Sequence, residues 1–364
     1  MILRDIVSYL DSEIPLAFQE SYDNSGLQVG LPEQEISSAL LTLDVTEEVL
    51  EEAIETGCNL IISHHPLIFS GIKKISGKSF IGRIIVRAIR NDIAIYSAHT
   101  NLDVHSSGVS IKMAEKIGLK NIKVLSPLNK RLLKLVTFVP GTHLENVRKA
   151  VFEAGAGSIG NYDYCGFAAD GTGSFRAGDA ASPYVGEKGK LHLEKEVRFE
   201  TVLFTHDKER VVKALIGAHP YEEAAYDLYP LENNNVNIGL GAIGELVSAM
   251  VELSFLKQVS AIFSADGIRF SKIRNKAVNK VALCGGSGSS LLNDAISAGA
   301  DVFLTADIKY HTFFEAENRI LLVDTGHFES EKFSTEILYD LIIKKFPKFA
   351  VRFSGTNRNP INYL

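Results

Sequence analysis

This chain is poor in cysteine. Cys58, Cys165 and Cys284 are the only three, each more than a hundred residues from the next. They form no CxxC motif and cannot all pair, which argues against a disulfide framework and for a reducing compartment. Cys58 and Cys284 sit in or beside apolar runs, where a free thiol is more often buried filler than a nucleophile. Long apolar runs are missing too, since no stretch reaches the eighteen or so residues a bilayer needs. The opening MILRDIVSYLDSEIP turns polar too soon for the apolar region of a signal peptide. Nor is there an excess of positive charge. With 38 basic against 44 acidic residues the net charge is −6 and the pI near 6.0. Bulk attraction to a phosphate backbone is therefore lacking, and nucleic acid is a disfavoured partner. The expectation is a soluble, cytoplasmic protein with no membrane partner.

The Gly-rich turn near the C-terminal half carries no familiar phosphate-binding signature. CGGSGSS (Cys284 to Ser290) stands between a strand-like run and a helix-like one, the place for an anion-cradling turn. It lacks GK[ST] and does not match GxGxxG, so it reads as a tight strand–helix turn. No GxSxG surrounds any serine, which leaves serine hydrolysis by that route unsupported.

What is present is ordinary globular material. The 364 residues are 46% hydrophobic and 23% charged, which excludes a disordered chain and suits two to three domains. The first segment alternates strand and helix patterns. SALLTLD and NLIIS read as buried strands around TEEVLEEAIETG, with Thr46 as N-cap and Gly57 as helix stop. A helix over Lys78 to Arg90, a strand IAIYSA and a helix over Val109 to Ile117 follow. The last segment repeats the grammar with KVALCGG, LLNDAISAG, DVFLTAD, IKYHTFFEAEN, RILLVD, EKFSTEILYDLIIKKF and FAVRFS. Apolar strands alternating with amphipathic helices indicate parallel sheet covered on both faces.

The two segments look like copies. GCNLIISHH (Gly57 to His65) lines up with GADVFLTAD (Gly299 to Asp307), and IAIYSAHTNLD (Ile93 to Asp103) with LLVDTGHFESE (Leu321 to Glu331). His99 then falls on His327, and Asp103 on Glu331. The reading is an α/β protein whose three-layer α/β/α core is built from two pseudo-symmetric half-domains, residues 1–127 and 236–364. Between them, residues 128–235 read as a ferredoxin-like α+β insert of βαβ–βαβ order.

The chemistry concentrates where these strands end. His64 and His65 follow a strand and precede Pro66, which disfavours helix at His65 and helps hold a bend on which both rings can converge. Ligands of open α/β sheets gather at strand C-termini. The pairs His99/Asp103 and His327/Glu331 each place imidazole and carboxylate four residues apart, on one face of a helical turn. Imidazoles with carboxylates that can bridge suit two divalent ions and an acidified water. His219, before Pro220, reads as a helix-end cap. His143, His192, His206 and His311 lack partners at ligand spacing.

Taken together, ESYDNSGLQVG, IISHHP, SAHTNLD, AHPYEEAAYD, CGGSGS and DTGHFESE make the chain resemble the Nif-three-like dinuclear metal centre family, also called GTP cyclohydrolase 1 type 2 homologues. The resemblance covers almost the whole chain. It implies metal ligation by His64, His65, Asp103, His327 and Glu331. It implies two divalent ions per subunit, such as zinc, iron or manganese, and places His99 beside them as the catalytic candidate. It further implies a PII/CutA-like insert, a ring-shaped homohexamer, and a small-molecule substrate of the nucleotide kind, opened at the GTP imidazole ring with release of formate. The alternative reading is a non-catalytic, metal-dependent scaffold or regulator with a ligand-sensing insert.

Overall fold

Runs of about four apolar residues become strands here, and capped amphipathic segments become the helices between them. The computed structural model describes residues 1–129, 131–160, 162–233 and 235–364. In chain order the N-terminal segment contributes β1 (Gly26–Val29), β2 (Ser38–Thr42), β3 (Leu60–Ser63), β4 (Ala94–Ser97) and β5 (Lys120–Leu128). Its helices are α1 (Leu3–Glu13), α2 (Glu47–Thr56), α3 (Phe80–Arg90), α4 (Thr100–Asp103) and α5 (Val109–Ile117). The middle contributes β6 (Leu132–Pro140), α6 (Leu144–Glu153), β7 (Gly166–Arg176), β8 (Leu191–Phe204), α7 (Lys208–Ala218) and β9 (Tyr226–Leu231). The C-terminal segment contributes β10 (Asn235–Val251), β11 (Arg269–Phe270), β12 (Ala277–Leu283), β13 (Val302–Thr305), β14 (Leu321–Asp324) and β15 (Ala350–Phe353). Its helices are α8 (Glu252–Phe263), α9 (Leu292–Ser297), α10 (Thr312–Glu315), α11 (His327–Glu331) and α12 (Ser334–Lys345).

Local chemistry sets the boundaries. Thr46 accepts the Val49 N–H at 3.2 Å and starts α2, and Gly57 at φ 70° ends it in the left-handed region. IKYHTFFEAEN forms only the single turn α10, because Asp307, Glu317 and Asn318 all take positive φ around it. The helices α1 and α8 and the long β10 have no counterpart in the sequence reading. Gly239, Gly241 and Gly244 interrupt β10's apolar alternation, and each meets neighbouring backbone where a Cβ would stand.

The chain divides into two compact units, Met1–Pro127 with Asn237–Leu364, and Leu128–Val236. The first unit holds two sheets, ordered β1-β4-β3-β2-β15 and β11-β14-β13-β12-β10-β5. The strands β2, β3 and β4 are parallel, with β1 antiparallel on β4; β12, β13 and β14 are parallel, with β11 antiparallel on β14. The two halves thus repeat one strand order. Leu41, Ile62 and Tyr96 of one sheet and Leu283, Leu304 and Val323 of the other share a core with α1, α5, α8 and α12. On the far faces Leu40, Ile61 and Ile95 pack on α2 and α3, and Ala282, Phe303 and Leu322 pack on α9. Each sheet is thereby the middle of an α/β/α sandwich, and the two share their inner helical layer. Strands buried on both faces are why the sequence shows unbroken apolar runs.

The second unit is an antiparallel sheet of order β7-β8-β6-β9. Leu135, Val139, Phe199 and Leu203 cover one face with α6 and α7. Its element order is β-α-β-β-α-β.

Candidate metal centre

In the first unit the C-terminal ends of matched strands deliver the polar side chains. His64 and His65 follow β3, His99 follows β4, Asp307 follows β13 and His327 follows β14. His64 N and His65 N still bond the Thr42 and Leu43 carbonyls, so parallel pairing runs past the end of β3. The two rings nevertheless converge, with centroids 5.1 Å apart. The single turns α4 and α11 then present Asp103 and Glu331. Among the described residues, three groups bring ligand atoms within 4.8 Å of one another: His64/His65/His99, His65/His327/Glu331 and His64/Asp103/Glu331. All six residues expected to act are in these groups.

The hydrogen bonds decide which imidazole nitrogen is available. His64 Nδ1 lies 2.7 Å from the Ala98 carbonyl, which can only accept, so Nδ1 carries a proton and Nε2 is the atom that faces the site. Nδ1 of His65, His99 and His327 lies 2.8, 2.8 and 2.7 Å from Asp44, Asp23 and Asp307 respectively. One acceptor behind each ring is the arrangement that orients metal-binding histidines. These three aspartates escaped the reading of the sequence. Asp44 closes the SALLTLD strand, and Asp307 stands opposite His65 in the internal alignment, so a signal existed for two of them.

In front of the rings the site is short of partners. His64 Nε2 and Asp103 Oδ1 are both buried and neither has a hydrogen-bond partner. They are 3.6 Å apart, close enough to share a cation. Glu331 Oε2 lies 2.8 Å from Nε2 of both His65 and His327 and 3.9 Å from Nε2 of His64. Burial would disfavour the Glu331 carboxylate, but the three imidazoles hold its pKa well below the usual range. Burial also opposes protonation of His65 and His327, yet Asp44 and Glu331 lift His65 to about 10, and Glu331 with Asp307 lifts His327 to about 9. Burial, with Glu331 and Asp23 nearby, raises Asp103 to about 7. Two unpartnered donor atoms of opposite kind, in a set of imidazoles and carboxylates, fit a divalent cation of the zinc, iron or manganese type.

The glycine turn is part of this site. Gly286 has φ 57°, and a Cβ on it would stand 2.0 Å from Glu331 Oε1. Its N–H donates to Ser330 Oγ at 3.0 Å. The CGGSGSS turn is thus a strand–helix connection and also the floor on which Glu331 rests. A cavity of about 470 Å³ opens over the cluster, walled by Tyr22, Phe69, His99, Asp103, Cys284 and Glu331. Burial pushes the Cys284 thiol up to about 12, which makes it a poor nucleophile. All three cysteines are unpaired. His219 is satisfied by backbone, between Phe138 O at 3.0 Å and Tyr221 N at 3.1 Å.

A family model of Duf34/NIF3 (NGG1p interacting factor 3) matches residues 1–360. The chain belongs to the Duf34/NIF3 family. A relative from Bacillus subtilis, named GTP cyclohydrolase 1 type 2 homolog, is 38% identical over 371 residues, covering 99% of this chain and 98% of its own. One of the same name from Halalkalibacterium halodurans is 42% identical over 326 residues, covering 89% and 88%. The crystal structure of a Bacillus cereus protein related to NIF3 matches with a TM-score of 0.85 at 40% identity, covering 100% of this chain and 99% of that one. The mixed α/β fold of this Duf34/NIF3 chain is that of its structural relative. No helix among the described residues is long and apolar enough to cross a membrane.

Proposed function

We propose that this chain is a metal-dependent hydrolase whose two divalent ions are held by His64, His65, Asp103, His327 and Glu331. The observation that carries the reading is the buried, unpartnered pair His64 Nε2 and Asp103 Oδ1 beside a carboxylate common to two donor groups. When bound, such ions supply Lewis-acid polarisation and a water acid enough to act at neutral pH. The chain's own residues do the rest. Glu331 belongs to both His65/His327 and His64/Asp103 groups, so it is the natural bridge, with the histidines as terminal ligands. His99 is the candidate for moving a proton, and Tyr22 and Phe69 line the cavity that a small planar substrate would enter. The name carried by the relatives supports GTP as the substrate to test first, and the family resemblance its opening at the imidazole ring.

The test is hydrolysis of a panel of nucleotides and phosphoesters by protein loaded with zinc, manganese or iron, with formate release followed for GTP. Turnover that vanishes on chelation is expected. Full metal occupancy with no turnover of any member would overturn the hydrolase reading. Metal stoichiometry tests the ligand assignment separately: Glu331→Ala should lose both ions together, whereas His64→Ala should weaken mainly one.

One observation favours the second reading, a regulator. A cavity of about 700 Å³ lies in the second unit, lined by Phe138, Phe175, Tyr184, Glu196, Arg198 and Tyr221. Tyr221 donates to Glu196 at 2.8 Å, and aromatic walls with a few fixed polar groups are the usual make-up of a small-molecule site. Retained small molecules in the native protein, identified by mass spectrometry, together with inactivity on the panel would favour that reading.

A further inference from the structure

The loop before β1 carries a carboxylate that the hydrolase reading leaves unused. Asp23 is fully buried at its side chain and lies 2.8 Å from His99 Nδ1. We propose that Asp23 is a positioning residue for His99, holding a ring proton on Nδ1 so that Nε2 is the nitrogen presented to the cavity.

Both carboxylate oxygens are committed to donors. Oδ1 accepts from Asn24 N at 2.7 Å and from His99 Nδ1. Oδ2 accepts from Thr100 N at 3.0 Å, from Ser25 Oγ at 3.0 Å and from Thr100 Oγ1. The hydroxyls donate here because a carboxylate can only accept, and each also accepts elsewhere: Thr100 Oγ1 takes the Glu20 N–H at 2.9 Å, and Ser25 Oγ takes the His99 N–H at 3.3 Å. Five donors therefore converge on Asp23, and an acceptor-only group facing Nδ1 forces the proton there. The His99 ring stands 5.3 and 5.4 Å from the rings of His64 and His65 and forms part of the cavity wall. The loop thereby joins the site to a segment far from any ligand in sequence. The proposal rests on the hydrolase reading for the use of the tautomer, but not for the tautomer itself.

Removing the carboxylate, Asp23→Ala, should release the tautomer. An amide of the same shape is a poorer probe, because Asn24 N faces the Oδ1 position and Thr100 N the Oδ2 position, so either placing of its NH₂ meets a backbone N–H. Without the carboxylate no acceptor faces Nδ1, and nothing holds the ring proton there. The experiment is two-dimensional ¹H–¹⁵N spectroscopy of the histidine rings in the zinc-loaded full-length protein, with His99→Gln to assign the signals. The wild type should show His99 as the Nδ1–H form, and Asp23→Ala should gain the Nε2–H form with zinc content unchanged. On any substrate found in the panel, Asp23→Ala should lower kcat at least 100-fold while KM stays within about threefold. An Nε2–H form in the wild type overturns the proposal outright, whether or not the variant folds. An unchanged tautomer in Asp23→Ala, or zinc lost from it, also overturns it. Should the panel show no turnover, the hydrolase reading fails while the spectra still decide the role of Asp23.

Discussion

A glycine with no chemistry of its own holds the centre in shape. At Gly286 the left-handed φ costs an alanine about 1–2 kcal/mol, and its Cβ would collide with Glu331 Oε1. The carboxylate must move, and it is the one carboxylate that belongs to two of the donor groups. Gly286→Ala should therefore weaken metal retention roughly 10- to 100-fold, as loss of an orienting contact does. Metal content after dialysis against a graded chelator checks this. Wild-type retention in a folded Gly286→Ala would mean that Glu331 is not needed where it stands.

Two element-scale devices tie distant segments together, and each can be measured. Glu252 at the start of α8 and Arg274 are almost fully buried and paired at 2.9 Å. Glu252 also accepts from Arg274 N and Asn275 N, and the guanidinium donates to the Arg319 and Asp301 carbonyls. Every polar atom has a use, so removing one partner strands a buried charge. Arg274→Met should cost about 3–5 kcal/mol by urea unfolding, against no more than about 1 kcal/mol for the exposed pair Arg4/Glu33. The second device is Glu52 of α2, which accepts from Ser354 Oγ, Gly355 N and both Thr356 N and Thr356 Oγ1 just after β15. Burial would raise its pKa, but these donors lower it. A depressed folded-state pKa contributes stability above the unfolded value near 4.3, and loses it as pH falls through that region toward the folded value. Glu52→Gln should therefore be less stable than wild type by about 1 kcal/mol at pH 7. The gap should shrink steadily as the pH is lowered below about 4. A gap independent of pH would show that the carboxylate's charge is not what fastens the C-terminal segment.

For the whole molecule we propose a ring of six copies, on the family resemblance and on apolar side chains left in solvent. Leu191 and Leu193 of β8 are 73% and 64% exposed; they stand two residues apart and so on one face of the strand, and exposed apolar surface of that kind marks contact sites. Light scattering of the native protein should give six times the 39.8 kDa chain mass. Replacing both leucines, as Leu191→Glu with Leu193→Glu, should reduce it. A monomeric wild type would remove the assembly from the account.

Much of this protein could be read before any fold was known. The buried strands β2, β3, β4, β13 and β14 were legible because parallel strands covered on both faces are written as unbroken apolar runs. The α2 boundaries were legible because a threonine cap and a left-handed glycine are local chemistry. His64, His65, Asp103, His327 and Glu331 stood out because imidazole and carboxylate at strand ends, repeated in both halves, form a pattern along the chain itself. The sequence could not say which nitrogen of each ring is free, because that depends on Ala98, Asp44, Asp23 and Asp307. Asp23 reaches His99 across 76 positions, a distance only the tertiary fold closes. It could not say which carboxylate lies between the donor groups, since Asp103 and Glu331 match in spacing and differ only in what surrounds them. Nor could it separate the turn CGGSGSS from the floor beneath Glu331. Residue type and spacing are properties of the chain, whereas tautomer, bridging and crowding are set by contacts between segments that the chain keeps far apart.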